Sequence, residues 1–308
     1  MISFCKFMCV SRTFCEKQLP LLFTVLQRKG ESASMRVSAI VALGDLATRF
    51  PNELEPWNSR LYELLEDDDI TVRKNVLMVL THLVLNDMIK VKGCTHLLAK
   101  CLTDQDTNIK HLATQFFSEF ASKSKNNIYN ILPDTVGQLS ADKSVDSTIF
   151  RQISRHLIQF VDKDWQFASL VTKICHRIGT TTSPSQWNDY IYCLTLFRLN
   201  ENTFKSIASN FKSYKNALSN DKDAHSLFSS GIVSKCKKLA ASKPEQEVTI
   251  NEWISQIQNL SRDKLVVEES SKEEEEEEEE TTMMTKDKTK GMTSQDENSS
   301  LLNVMVSN

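Results

Sequence analysis

The sequence predicts an all-α fold, a HEAT- or armadillo-type solenoid of stacked helical hairpins, and three observations carry that prediction. First, apolar residues recur at spacings of three and four. Within Leu61–Gly93, Leu61, Leu64 and Leu65 form a short stripe, and Val72, Val76, Val79, Leu80 and Leu83 form a second, with Asp67, Asp68 and Asp69 between them. The unit reads as helix, tight acidic loop, helix, basic exit loop, and neither helix can bury its stripe alone. Second, the unit repeats every 37 residues. Met35-Arg36, Val72-Arg73 and Ile109-Lys110 keep that spacing, as do Ala39, Val76 and Ala113, then Leu43, Leu80 and Phe117, then Leu46, Leu83 and Phe120. On the first-helix side Leu65, Leu102 and Leu139 repeat in the same way. A hairpin period near 40 marks arrays whose core exists only between stacked units. Third, the 308 residues include only 7 Gly and 6 Pro, and few segments alternate with period two.

Taken in order, the first helix is expected over about Glu16–Arg28, with Leu19, Leu22, Phe23 and Leu26 inward and Pro20 near its first turn, where proline is tolerated. Met1–Val10 is expected to be a start upstream of that helix. It lacks the unbroken apolar region and small-residue cleavage site of a secretory signal. The partner helix runs over about Ala33–Arg49. Pro51 and Pro56 then punctuate the chain, and Pro56-Trp57 opens the second hairpin, whose second helix Asp69 or Thr71 can cap. The third hairpin pairs a short helix over Thr95–Leu102 with Asp106–Ser122. The fourth pairs Ile128–Leu139 with Ser147–Val161. Regular hairpins are therefore expected over 14–161. Irregular or capping helices are expected over 162–260, near Trp165–Ile178, Ser185–Leu199, Thr203–Leu218, Ala224–Ala241 and Glu245–Leu260. Residues 261–308 carry eight consecutive glutamates (Glu273–Glu280) and no aromatic residue. This tail is expected to be disordered and acidic, because little apolar surface is present to offset ordering entropy.

The net charge of −3 hides an asymmetry: residues 1–260 hold 31 basic and 26 acidic side chains, and the tail holds 6 and 14. The folded part is mildly basic. The glutamate run suits a solubilising tail, a loose binder of basic partners such as histones, or a spacer that repels DNA. The eight cysteines show no paired framework, which reads as reduced thiols in the cytosol or nucleus. The longest apolar runs are far shorter than the roughly 20 residues a membrane span requires.

The loop phases supply the candidate site residues. Asp67, Asp69, Arg73, Asp104, Asp106 and Lys110 are expected to form an internal ladder, in which each loop carboxylate caps a helix or meets the basic residue of an adjoining repeat; the other reading is a partner surface. Lys90 and Lys92 lie in a short connection with Gly93. With Arg73, Lys74 and Lys110 along one edge they are candidate phosphate contacts; the other reading is a solvated loop. Cys94, His96, Cys101 and His111 do not make a metal site, because positions 94 and 96 on a helix point about 200° apart and no CxxC pair supports them. His82 and Glu119 share the phase of Asp45, which fits hydrogen bonds at the hairpin rim. The tryptophans fall on helix starts or apolar faces, which suits packing. The histidines cluster with no nucleophile, and neither a Gly-rich phosphate loop nor GxSxG occurs. No catalysis, cofactor, small-molecule substrate or membrane contact is expected. Ser183-Pro184, beside Thr180–Thr182, is a minimal proline-directed phosphorylation dipeptide, so Ser183 is a candidate phosphosite.

The wording of Gly44–Gly93 and of Phe116–Ser140, above all RFPN, Glu55-Pro56-Trp57, VRK, LTHL, DMIKVKG and IYNILPD, closely resembles the large non-SMC HEAT-repeat subunits of condensin. The Pro-Trp and KVKG stretches fit condensin I better than condensin II. The resemblance runs from about Phe14 to about Leu260 and matches only the C-terminal HEAT section of that subunit. The chain is therefore expected to be a fragment or a short form. The first thirteen residues and the glutamate-rich tail depart from the family. The resemblance implies a non-enzymatic scaffold in mitotic chromosome condensation, in the nucleus and on chromosomes and partly in the cytoplasm. Its implied partners are the kleisin and SMC subunits and chromatin DNA. The rival expectation is a HEAT or armadillo scaffold for transport or phosphatase assembly, with no DNA role.

Overall fold

The computed structural model describes residues 1–28, 30–91, 93–124, 126–242 and 247–260. The glutamate-rich tail and Lys92 lie outside them. The chain divides into two compact units, Met1–Glu247 and Val248–Asn308. In the second, the described residues 248–260 are helical. No strand occurs among the described residues, and the fold is all-α, a solenoid-like stack of hairpins.

The first unit opens with α1 (Ile2–Val10) and α2 (Arg12–Gln27), followed by α3 (Ala33–Arg49). The next hairpin begins with a segmented stretch: α4 (Pro51–Leu54), a 3-10 turn (Glu55–Trp57), α5 (Asn58–Glu63) and a second 3-10 turn (Leu64–Glu66). Prolines at the first turns of α4 and of the Glu55–Trp57 segment explain the punctuation. It is completed by α6 (Ile70–Leu85). The third hairpin is α7 (Thr95–Lys100), ending in a 3-10 turn at Cys101–Thr103, with α8 (Thr107–Lys123). Next come α9 (Asn127–Ala141) with α10 (Ser147–Ile158), and α11 (Asp164–Thr180) with α12 (Pro184–Leu196). The last group is α13 (Glu201–Ser209), α14 (Phe211–Asn220), α15 (Lys222–Phe228) and, after a π turn at Ser229–Val233, α16 (Ser234–Ser242).

Capping sets most of the starts. Side chains of Ser11, Ser32, Asp69, Asp106, Asp146, Asn200 and Asp221 each accept a backbone N–H from the first turn of the helix that follows. The second helices stack as α3–α6–α8 and α10–α12–α15, and the first helices as α5–α7–α9–α11–α14. Two sets of period-37 positions, Ala39, Val76 and Ala113, and Leu43, Leu80 and Phe117, are completely buried, whereas Met35 is exposed and Leu102 half-buried. Side-chain bonds one repeat apart add to this burial. Thr135 Oγ1 donates to Thr95 Oγ1 (2.7 Å), Gln166 Nε2 to Asn126 Oδ1 (3.0 Å) and Arg155 Nη2 to Tyr192 Oη (2.9 Å), with sequence separations of 40, 40 and 37.

Three expectations change. Met1–Val10 is itself a helix, packed against α2 and α3, with Cys5 and Met8 buried. Because α2 starts at Arg12, Pro20 falls inside it, where its missing N–H leaves the Glu16 carbonyl without its ladder partner; one turn on, Thr24 Oγ1 donates to the Pro20 carbonyl (2.8 Å). The helix expected over Thr203–Leu218 is two helices. Asn210 ends the first by donating from its side-chain amide to the Ser206 carbonyl (2.7 Å), in competition with the backbone.

Candidate functional site

The acidic loops share one construction. Asp67 Oδ1 accepts the Asp69 N–H (2.9 Å) and Asp104 Oδ1 the Asp106 N–H (2.8 Å), so each loop closes as an Asx turn. The second aspartate then caps: Asp69 Oδ1 accepts from Thr71 and Val72 (2.7 and 3.1 Å), and Asp106 Oδ1 from Asn108 and Ile109 (2.8 and 3.1 Å). These amides, Val72 first for Asp69 and Ile109 first for Asp106, hold both carboxyls below the usual range.

The same two carboxylates, Asp67 through Oδ2 and Asp104 through both oxygens, meet the previous repeat. Arg36 pairs with Asp67, and Arg73 donates from Nε and Nη2 to Asp104 (3.0 and 3.1 Å), both across 31 residues. Arg73 Nη1 also donates to the Asp67 carbonyl (2.8 Å), so its fork is filled. Lys110 stands in the same phase, but 31 residues on is Ala141, and among the described residues Lys110 makes no ion pair. Asp142 carries the third rung, and Lys100 takes it (2.8 Å) while also binding Glu66 and Ser144. Burial would raise the Asp142 carboxyl, but the Lys100 ammonium and Ser144 overcome it and bring it down to about 2.

The basic residues do not share one edge. Lys74 and Lys110, both half-buried, are the fifth residue of α6 and the fourth of α8, near the starts of those helices. Lys90 is exposed beyond the far end of α6, which from Lys74 to Leu85 alone is about 16 Å. Its loop is fixed by Met88 N–H donating to the Leu83 carbonyl (2.9 Å), with Asp87 (φ 59°) and Gly93 (φ 78°) in the left-handed region that glycine adopts freely. Lys90 borders a cavity of ≈ 510 Å³ beside the buried hydroxyl of Tyr62. Sequence reasoning missed Lys100, because its side chain reaches two repeats at once and no fixed spacing announces that.

Ser183 is the residue before α12, half-buried, and its hydroxyl makes no capping bond. His82 bonds Asn86, the residue that follows α6, and Glu119 accepts from Gln115 within α8. Cys94, His96, Cys101 and His111 do not converge, and among the described residues no three His, Cys, Asp or Glu side chains gather as metal ligands. The eight cysteines are free, six of them buried, and burial pushes Cys101, Cys175, Cys193 and Cys236 up to about 12. No described helix is long and apolar enough to cross a membrane. Trp57 stacks on Phe23 (4.9 Å), and Trp187 and Trp253 are buried, whereas Trp165 is 50% exposed, against the expectation of packing.

Residues 34–195 match the family of the non-SMC mitotic condensation complex subunit 1. The chain is 40% identical over 264 residues to the condensin-1 complex subunit CAP-D2 of Arabidopsis thaliana, a stretch covering 86% of this chain and 18% of that protein. It is 39% identical over 262 residues to condensin complex subunit 1 of Xenopus laevis (85% and 18%) and 36% identical over 189 residues to that of Saccharomyces cerevisiae (61% and 16%). The matched stretch spans less than a fifth of the length of these curated relatives. The chain belongs to the condensin complex subunit 1 family.

Proposed function

We propose that this member of the family acts as a non-catalytic scaffold segment of a condensin complex in mitotic chromosome condensation, in the nucleus and on mitotic chromosomes and partly in the cytoplasm. It holds the kleisin, meets the SMC subunits and lies against chromatin DNA, while the charge of the acidic tail attracts histones. One observation carries the reading: the family match over residues 34–195, on a fold whose repeats stack into extended surfaces. Such surfaces suit an extended peptide and a duplex backbone better than a small substrate.

Phosphate contact is assigned to Lys74 and Lys110 at the starts of α6 and α8, and to Lys90 with Lys92 in the exit loop. Arg73 is left to the ladder with Asp67, Asp69, Asp104 and Asp106, since its donors are already used. Ser183 is proposed as a proline-directed phosphoacceptor, because a phosphate there meets the positive end of α12. Peptide mapping after treatment with such a kinase tests this, and an unmodified Ser183 refutes it.

The main test is co-purification of the full chain with kleisin and SMC subunits, together with duplex binding as salt is varied. Binding is expected to weaken steeply with salt, and each lysine replaced by glutamate among Lys74, Lys90 and Lys110 should reduce the logarithmic slope by about 1. Recovery of transport cargo or phosphatase subunits without kleisin or SMC would replace this reading with the rival scaffold.

A further inference from the structure

The outward face of α11 belongs neither to the ladder nor to the lysines proposed for duplex contact at α6, α8 and the exit loop. It carries Trp165, Ser169, Thr172, Lys173, His176 and Thr180 along a 17-residue helix, about 25 Å long. At its start the exposed Trp165 ring meets the Tyr129 ring edge-on (5.2 Å, 68°), and Tyr129 Oη bonds Ser169 (2.8 Å). Lys163 stands 5.8 Å from the Trp165 ring, and Lys173 stands 4.5 Å from the Tyr129 ring. Further along, two open cavities of ≈ 670 and ≈ 610 Å³ share His176 and Thr180, so they form one groove. Of the residues lining them only Asp134 is acidic, and Arg177 already pairs with it (2.7 Å); Lys173, Arg177 and Lys212 supply the positive charge.

An exposed indole braced from the side and a polar, net-positive groove leading away from it are the two parts of a single-strand binding surface: a stacking platform and a track for the backbone. A base pair inside a duplex presents no free face to stack on, so this surface selects unpaired nucleotides. Exposed Asp162 and Asp164 flank Lys163, so the phosphates run along α11 toward Lys173 and Lys212 and not back past the start of the helix. An acidic peptide would use the lysines and leave the indole without a role. We propose that the outward face of α11 binds single-stranded nucleic acid, with a base on Trp165 and phosphates along Lys173, Arg177 and Lys212. This contact is separate from the duplex contact proposed above.

The test is fluorescence anisotropy of the full chain with labelled oligo-dT, oligo-rU, a blunt duplex and oligo-glutamate. Both single strands should bind in a salt-dependent way. Trp165→Ala should weaken them about tenfold while leaving the duplex and the melting temperature unchanged, and Trp165→Phe should restore most of the loss. Lys173→Glu with Lys212→Glu should weaken binding and flatten its salt dependence. Single-strand binding that is unchanged in Trp165→Ala, or a duplex that loses the same factor, overturns the proposal. Binding of oligo-glutamate without either single strand also overturns it, in favour of an acidic peptide.

Discussion

Arg73 shows why one residue type recurs in this array. Its guanidinium closes a fork on Asp104 and caps the loop carbonyl of Asp67, joining its own hairpin to the next. Both side chains of the pair are largely buried (14% and 11% exposed), so removing one partner strands the other. Arg73→Ala is expected to cost about 2–3 kcal/mol, and the Arg73→Ala/Asp104→Ala double variant less than the sum of the two single variants, in urea melts. Asp189 is the opposite case. It is buried in α12, and burial pushes its carboxyl up to about 6 against the Ser140 hydrogen bond and the Arg151 charge. A raised carboxyl favours the folded state when protonated, so its contribution is full below about pH 4 and is lost as pH rises to about 6. Asp189→Asn should therefore stabilise the protein at neutral pH by about 1–2 kcal/mol and remove that slope. Equal stability at neutral pH would show that the carboxylate is better solvated than its burial implies.

At the scale of elements, caps and close crossings decide what propensity leaves open. Ser32, Asp69 and Asp106 fall 37 residues apart and start α3, α6 and α8 in register. The sequence shows this, because an N-cap is a local bond between near neighbours. The π turn is not legible in the same way. Gly231 sits where a Cβ would come 2.4 Å from Thr195 Cγ2, and in the same stretch Lys235 reaches the Thr195 and Phe197 carbonyls at the end of α12 (2.5 and 3.2 Å). A lysine there satisfies carbonyls that α12 leaves unpaired. Gly231→Ala is expected to lower stability by about 1–3 kcal/mol through overpacking, and adding Thr195→Ser should restore part of it. A Gly231→Ala protein that melts with the wild type would show that the two helices slide apart freely.

Across the whole first unit, stability is the sum of nearest-neighbour contacts, with Lys100 as an exception that spans three hairpins through Glu66, Asp142 and Ser144. The depressed Asp142 carboxyl contributes stability above about pH 4 that disappears as pH falls through about 2. Lys100→Met should cost about 1–2 kcal/mol at neutral pH and flatten that acid limb. It should also speed amide exchange in α5, α7 and α9 while leaving α12 and α15 unchanged. Equal acceleration everywhere would mean that the unit opens as a single block.

The hairpins, their period, most of the buried faces and the capping aspartates are legible along the chain, because each depends on residues within one repeat and on a fixed phase between repeats. The chain also carries the family, through stretches of specific wording such as RFPN and KVKG. Packing between hairpins sets which cation closes the third rung, keeps Lys90 apart from Lys74, and leaves Trp165 half exposed while Trp187 is buried. Those outcomes depend on how far side chains reach between hairpins and which neighbour covers them, and packing sets both without a local pattern to mark it.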